Sequence, residues 1–352
     1  MFVSEGDVMK LRIDELDLQI IEALKESSNP RKLASISRSL AVSRRTFYDR
    51  VKKLRQRKIL GLHLIPKYNL LGLVSVLVFL DYSDLQLGLE EDFLHSRFVI
   101  LKSRIVGKYN GVMALMTLPD MGVNKVYEKL IELKSVGKIE RWRLLITANP
   151  RYISPKPSVL KRFVKTREEK LLSESSLASE VNFNEPQDYR ILADDIDVLI
   201  INMLQKDGWT RLSEIARKLG KSKALVKYHF DKHVLKLTDT FFIDFNPYDR
   251  NSLFSLLIEA EFKSEKGLKR FASFLSRLPF SQVLLKTPRV NLLYDVLKIP
   301  SHSISMLRMI FSKKVVKRTL LQKLAISVLL TPSESFQLPY ELFREKGWIL
   351  DF

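Results

Sequence analysis

Residues 43–58 read Ser-Arg-Arg-Thr-Phe-Tyr-Asp-Arg-Val-Lys-Lys-Leu-Arg-Gln-Arg-Lys, and the fold follows from how this stretch is read. Phe47, Val51 and Leu54 recur at i, i+4 and i+7, which draws one apolar stripe along a helix. Ser43 stands where an N-cap belongs, with a hydroxyl able to accept from an orphan backbone N–H. Eight of the sixteen residues are Lys or Arg and one is acidic. A basic face on an isolated helix is usually just solvated, so the neighbouring sequence decides its meaning. Residues 32–40 form a short helix with Leu33, Ile36 and Leu40 inward. Ala41-Val42-Ser43 then turns the chain into the basic helix. A helix preceding both starts at Asp14 and buries Leu16, Ile20, Ile21 and Leu24. Two short helices joined by a three-residue turn, the second of them basic, make a helix-turn-helix, and the polyanion that suits it is duplex DNA. Residues 59–66 read as a turn and a β-wing.

The composition narrows the class. A chain of 352 residues, 46% apolar and 28% charged, is globular and long enough for two or three domains. It contains no cysteine, which rules out a disulfide framework or a cysteine-ligated zinc and fits a reducing compartment. A net charge of +19 suggests nucleic acid or an anionic surface as partner. The longest apolar run, 70–80, is well short of the roughly 20 residues a membrane helix needs and is interrupted by Gly72 and Ser75, so it reads as a buried strand and no membrane partner is expected. The first residues lack a basic n-region and an apolar h-region, so no signal peptide is expected and a cytoplasmic, prokaryotic location is favoured.

After the wing the period changes. Strands are predicted over 71–80, 98–107, 112–118 and 140–147, with helices over 87–97 and from Asp120 onward. Asn110-Gly111 is expected to supply the positive φ of the hairpin between the second and third strands. The order is βαββαβ, the ferredoxin-like plan. Residues 149–190 are punctuated by Pro150, Pro155, Pro157 and Pro186 and read as a linker with one helix over about 158–172. The plan then repeats. Asp194-Asp195-Ile196-Asp197 echoes Asp14-Glu15-Leu16-Asp17, residues 212–219 echo 33–40, and Ser222 echoes Ser43. Strands are expected over 253–262, 281–287, 291–298 and 319–329, helices over 265–277 and 302–315. The period of about 180 residues is too long for a solenoid and reads as a tandem duplication of one two-domain unit. The organisation expected is a winged helix-turn-helix at 10–67, βαββαβ at 68–149, a linker at 150–190, a second helix-turn-helix at 191–249 that matches less closely in its third helix, βαββαβ at 250–331, and an apolar tail at 332–352 that packs on a sheet or a partner. The fold class is α+β.

Three sets of residues resemble the Lrp/AsnC family of prokaryotic transcription regulators: Ile13-Asp14-Glu15-Leu16-Asp17, then Leu33, Ile36 and Leu40, and Ser43, Thr46, Phe47, Arg50, Val51 and Leu54 at their spacing. Gly107-x-Tyr109 resembles the glycine-containing loop of that family's βαββαβ (RAM) domain. The resemblance implies a DNA-binding regulator of archaeal type that self-associates through its RAM-like domains. With both halves on one chain, an intramolecular pseudo-dimer follows. Ser43, Arg44, Arg45, Thr46, Tyr48, Asp49, Arg50, Lys52, Lys53 and Arg55 are the expected DNA-contact residues of the first head, and Ser222, Lys223, Lys227 and Tyr228 those of the second. Arg45 is the expected base reader, because Arg to guanine is the commonest specific pair. Relatives that bind an amino acid do so near the hairpin glycine and an acidic residue. Here Gly107, Tyr109 and Asn110 occupy that loop, and Asn110 lacks the carboxylate that would pair with an α-ammonium group, so a plain hairpin turn is favoured over an effector site.

Other chemistry is sparse. His229 and His233 lie at i, i+4 but with no third ligand evident, and His233 is expected at the inward position of Leu54, so neither a metal nor a cofactor is expected. Gly220-Lys221-Ser222 lacks the earlier glycine of a phosphate loop, since position 215 is Ile, and stands between two helices. No serine–histidine or cysteine–histidine nucleophile presents itself, and the chain is read as not an enzyme. Two alternatives share the scaffold: an enzyme or metabolite sensor resembling the siroheme decarboxylases, which are built from paired and sometimes fused subunits of this two-domain plan, and an architectural protein that binds DNA without sequence preference.

Overall fold

The structure is a computed structural model. It describes residues 13–82, 96–154, 157, 181–246 and 252–350, apart from 184, 279, 302–303, 305–306, 311–312, 331 and 336. The helices expected over 87–97 and 158–172 lie, wholly or nearly so, outside the described residues.

The first head comprises α1 (Glu15–Glu26), α2 (Leu33–Ser39) and α3 (Arg44–Gln56). Ile20, Ile21 and Leu24 of α1 and Phe47, Val51 and Leu54 of α3 share one buried cluster, so the apolar stripe is what holds the three helices together. Asp14 and Asp17 close a reciprocal capping box at the start of α1, each carboxylate accepting from the other's backbone N–H. The second head repeats this with α5 (Asp195–Lys206), α6 (Leu212–Leu219) and α7 (Lys223–His229), and Asp194 and Asp197 form the matching capping box.

Between the heads lies the first RAM-like unit: β2 (Leu73–Asp81), β3 (Val99–Val106), β4 (Gly111–Pro119), α4 (Asp120–Ser135) and β5 (Arg141–Thr147). Asp120 opens α4 as its first residue rather than capping it, and Pro119 stands at the cap position. The hairpin's positive φ falls on Gly107 at 138° and not on Asn110-Gly111. Gly111 is required for a different reason: a Cβ there would lie 2.1 Å from the Leu80 carbonyl oxygen. The second unit contains β8 (Leu253–Phe262), α8 (Glu265–Leu275), β9 (Ser281–Lys286), β10 (Leu292–Pro300), the short α9 (Leu307–Ile310) and α10 (Lys313–Thr319), and β11 (Leu321–Leu329).

The strand order is β5-β2-β4-β3 in the first half and β11-β8-β10-β9 in the second, the same order of like elements. Two seams join the sheets. Ile105 and Val106 of β3 pair with Leu329 and Val328 of β11. Three residues past β5, the short β6 (Arg151–Tyr152) pairs with β9. The strand path therefore returns to its starting edge and the two sheets face each other. Across the gap Phe79 meets Tyr294 at 5.6 Å between ring centroids, and Arg143 meets Glu259 at 2.9 Å. An open sheet with helices on one face only must bury the other, and each half does so against its counterpart.

The strand expected as the wing over 59–66 finds its partner in the other half. β1 (Leu60–Pro66) pairs antiparallel with β7 (Thr238–Phe245) of the other half, so each head gives its wing strand to a shared two-stranded ribbon. A lone strand leaves its N–H and C=O groups unpaired, and the ribbon satisfies both at once. The tail packs as expected: Leu338, Leu342 and Phe343 are buried, and the Trp348 indole N–H donates to the Leu71 carbonyl at 2.7 Å.

Candidate nucleic-acid interface

Ser43 caps α3 by accepting from the Thr46 N–H at 3.1 Å, and the two hydroxyls lie 2.8 Å apart. With Phe47, Val51 and Leu54 turned inward, the opposite face presents Arg44, Arg45, Thr46, Tyr48, Asp49, Lys52 and Lys53 to solvent. Arg44, Arg45, Lys52 and Lys53 have no ion-pair partner among the described residues. Two residues expected in this set are engaged elsewhere. Arg50 bonds Asp14 and, at 3.2 Å, Asp17, tying α3 to the cap of α1. The Asp14 carboxyl is held below the usual range by the Asp17 backbone N–H and then by Arg50. Arg55 pairs with Asp207 at 2.6 Å and lies 5.0 Å over the Trp209 ring, so it connects the first head to the second. Both arginines stand on the sides of α3 that meet other elements, which the basic count could not distinguish.

The second head is built the same way and is less basic. Ser222 caps α7 through the Leu225 N–H at 3.1 Å. Lys223, Lys227 and Tyr228 are exposed, but Lys227 pairs with Asp231. His229 is buried rather than on the helix surface, and its Nδ1 lies 2.9 Å from Asp197. His233 turns outward from the place of Leu54 and lies 3.2 Å from the same carboxylate. The sequence showed no third ligand for this pair, and the structure brings two aspartates to it.

The loop of Gly107, Tyr109 and Asn110, weighed as an effector site and read as a plain hairpin turn, is engaged by the chain itself. Tyr109 stacks on Phe79 at 4.2 Å and donates its hydroxyl to Glu259 of the other half at 3.2 Å. Asn110 donates its N–H to Asp81 at 2.7 Å, and its side-chain oxygen accepts from the Gly107 N–H at 3.2 Å. Glu259 also receives Lys108 at 2.6 Å. The hairpin thus serves the seam between the halves.

One feature escaped the sequence. A groove of about 1180 Å³ runs between the heads and the second sheet, with Lys52, Arg55, Lys58 and Lys298 among its cations and Trp209 and Phe254 among its aromatic lining. Its walls come from segments spread over nearly the whole chain, so no local pattern marks it.

These features define a chain with two helix-turn-helix heads on a pair of facing RAM-like sheets. The family of winged helix-turn-helix DNA-binding domains matches residues 194–232, which places a DNA-binding domain in the second head, the one whose third helix departs further from the expected pattern. No curated protein matches the chain. Among solved structures, a siroheme decarboxylase NirDL bound to an iron-uroporphyrin III analogue covers 92% of this chain and 92% of its own at 10% identity, with a TM-score of 0.57. The same enzyme in a second structure covers 91% and 92% at 12% identity, with a TM-score of 0.55. Escherichia coli AsnC aligns over 38% of this chain and 91% of its own at 21% identity, with a TM-score of 0.30. The reading of the chain as not an enzyme is overturned by the first two: the fold it shares over nearly its whole length is one that houses an enzyme. Among the described residues no helix is long and apolar enough to cross a membrane.

Proposed function

We propose that the chain is a double-stranded-DNA-binding transcription regulator whose first head reads sequence. The two halves, copies of one two-domain unit, act as an intramolecular pseudo-dimer on two unequal half-sites. The observation that carries this reading is the exposed, unpaired N-terminal turn of α3. Arg44, Arg45 and Tyr48 stand there while Arg50 and Arg55 are engaged within the protein. Arg45 contacts a base edge, and Lys52 and Lys53 contact phosphates, which position and do not specify. Ser43 and Thr46 hold the helix start against the backbone of the duplex, and Asp49 lies beside Tyr48 on the reading face. In the second head Ser222, Lys223 and Tyr228 take the corresponding places with fewer charges, so its half-site is the more degenerate. Half-sites lie about 34–36 Å apart or a multiple of it.

Selection of bound duplexes from a randomised pool at two salt concentrations tests this, with Arg45→Ala run beside the parent. A motif with one strong and one weak half-site is expected, and Arg45→Ala should cost about 1–3 kcal/mol and relax one base position. Binding with no motif that fades steeply with salt would overturn sequence reading in favour of architectural binding.

A second reading is favoured by the whole-chain likeness to a siroheme decarboxylase together with the groove. Its cations and aromatic walls suit a flat, polyanionic ligand such as a carboxylated tetrapyrrole. Titration with iron uroporphyrin, followed at its main visible absorption band, is expected to saturate at one equivalent if this reading holds. Lys298→Glu should weaken that binding, and an unchanged spectrum would end it.

A further inference from the structure

The two heads treat the same carboxylate pair differently. In the first, Asp14 and Asp17 hold the guanidinium of Arg50, a permanent cation. In the second, His229 stands seven residues after Ser222, as Arg50 stands seven after Ser43. No Lys or Arg pairs with Asp194 or Asp197 among the described residues.

The helix that carries His229 also departs from its counterpart. A π-helical turn over Phe230–Val234 follows α7, whereas α3 runs unbroken to Gln56. His233 stands eleven residues after Ser222, as Leu54 stands eleven after Ser43, yet Val234 is the residue buried at that level. The π turn accommodates one extra residue, gives the inward place to Val234 and swings His233 round to Asp197. Such single turns are rare and occur often at functional sites.

Four donors converge as a result. His229 Nδ1 lies 2.9 Å from Asp197 Oδ1 and 3.6 Å from Asp194 Oδ1, and His233 Nδ1 lies 3.2 Å from Asp197 Oδ2. One ligand atom from each of the four residues falls within 4.8 Å of all the others. Zinc takes nitrogen and oxygen ligands at about 2.0–2.2 Å in a tetrahedron, which sets the ligand atoms roughly 3.3 Å apart. Small rotations of the side chains reach that spacing. Asp197 and His229 are buried, with side chains 1% and 9% exposed. Asp194 and His233 are 36% and 38% exposed and leave a path for the ion.

We propose that Asp194, Asp197, His229 and His233 form a divalent transition-metal site, with zinc the best-matched ion, that clamps the start of α5 to the end of α7. Binding moves each imidazole proton from Nδ1 to Nε2 and gives the Nδ1 lone pair to the metal, while the carboxylates donate as they stand. The ion then does for the second head what Arg50 does for the first, and the seating of its third helix becomes metal-dependent.

The test uses the full chain without an affinity tag, stripped with a chelator and dialysed against zinc chloride. One equivalent of zinc per chain and an upward shift in Tm are expected, and cobalt(II) should give the intense visible bands of a four-coordinate site. His233→Ala and Asp194→Asn, both at half-exposed positions that leave the core intact, should each weaken binding by about 100-fold or more, since even outer partners of a metal site cost about 10–100-fold. His63→Ala, in the ribbon, should bind as the parent does. Zinc bound equally by the parent and His233→Ala, or a cobalt spectrum that stays that of the six-coordinate aqua ion, would overturn the site.

Discussion

Arg45 and Arg50 are five residues apart on one helix and do different work, because one faces solvent and the other faces the cap of α1. Arg50→Ala should leave the exposed face of α3 intact and loosen the first head by on the order of 1 kcal/mol, the usual scale for a partly exposed pair. Its pH signature is specific. The Asp14 carboxyl is depressed in the folded state, so its contribution is complete above its ordinary value and is lost as pH falls through the depressed one. Removing Arg50 should therefore flatten the acid limb of a stability–pH curve, and equal acid limbs in parent and variant would contradict the pairing. Asp295 runs the opposite way. It is fully buried, Oδ1 accepts from Ser281 Oγ at 3.0 Å, and Oδ2 has no partner. Burial raises its pKa well above the ordinary value, against the smaller opposing effect of Ser281. Stability then falls by up to about 1.4 kcal/mol for each pH unit between the unfolded and folded values. Asp295→Asn keeps the bond from Ser281 and removes that slope. Its Tm should gain on the parent as pH rises above the ordinary carboxylate range, and a difference that stays constant with pH would contradict the raised Asp295 pKa. The charge count of residues 43–58 made a basic helix legible, but which arginines serve the protein and which serve a ligand depends on contacts made by α1 and by Trp209.

At the scale of elements, periodicity located most strands to within two or three residues because alternation is a property of the strand itself. It could not name partners. The strand read as a wing crosses to the other half, a choice fixed by how the heads sit over the sheets. The count that placed His233 inward assumed 3.6 residues per turn throughout, and a single π turn breaks that count without any sign in composition. Asn110-Gly111 looked like the hairpin's turn because the pair favours positive φ, whereas Gly111 answers to a close approach by β2. Gly111→Ala would push a Cβ to 2.1 Å from the Leu80 carbonyl oxygen. Overpacking of this kind costs about 1–3 kcal/mol, and because the residue also sits beside the seam, the denaturant midpoint should fall with the slope unchanged. An unaltered midpoint would mean the edge of β4 can shift freely, which its nine paired residues with β2 argue against.

The whole molecule is held together by contacts between halves more than by the connection between them. The ribbon of β1 and β7, the seams of β3 with β11 and β6 with β9, and the cluster of Lys108, Tyr109 and Arg143 around Glu259 all join residues from opposite sides of positions 158–180. The tail adds bonds of its own across the halves, among them the Trp348 indole N–H to the Leu71 carbonyl and the Ser335 N–H to the Ile100 carbonyl, both at 2.7 Å. A protease site inserted in 158–180 and then cut should therefore release nothing: the two fragments should elute as one particle at the mass of the intact chain. Cutting does remove the mM-range effective concentration that linkage confers, so stability should fall and become dependent on protein concentration. Glu259 is the side chain to probe in the cut chain, since it is nearly buried while its two cations are partly exposed. Glu259→Ala leaves those two cations of the first half side by side without the carboxylate that meets them across the seam and should weaken association by about 1–3 kcal/mol, below the full value for a wholly buried pair. Fragments that part at micromolar concentration before any substitution would show instead that the connection, and not the facing sheets, makes the halves one body.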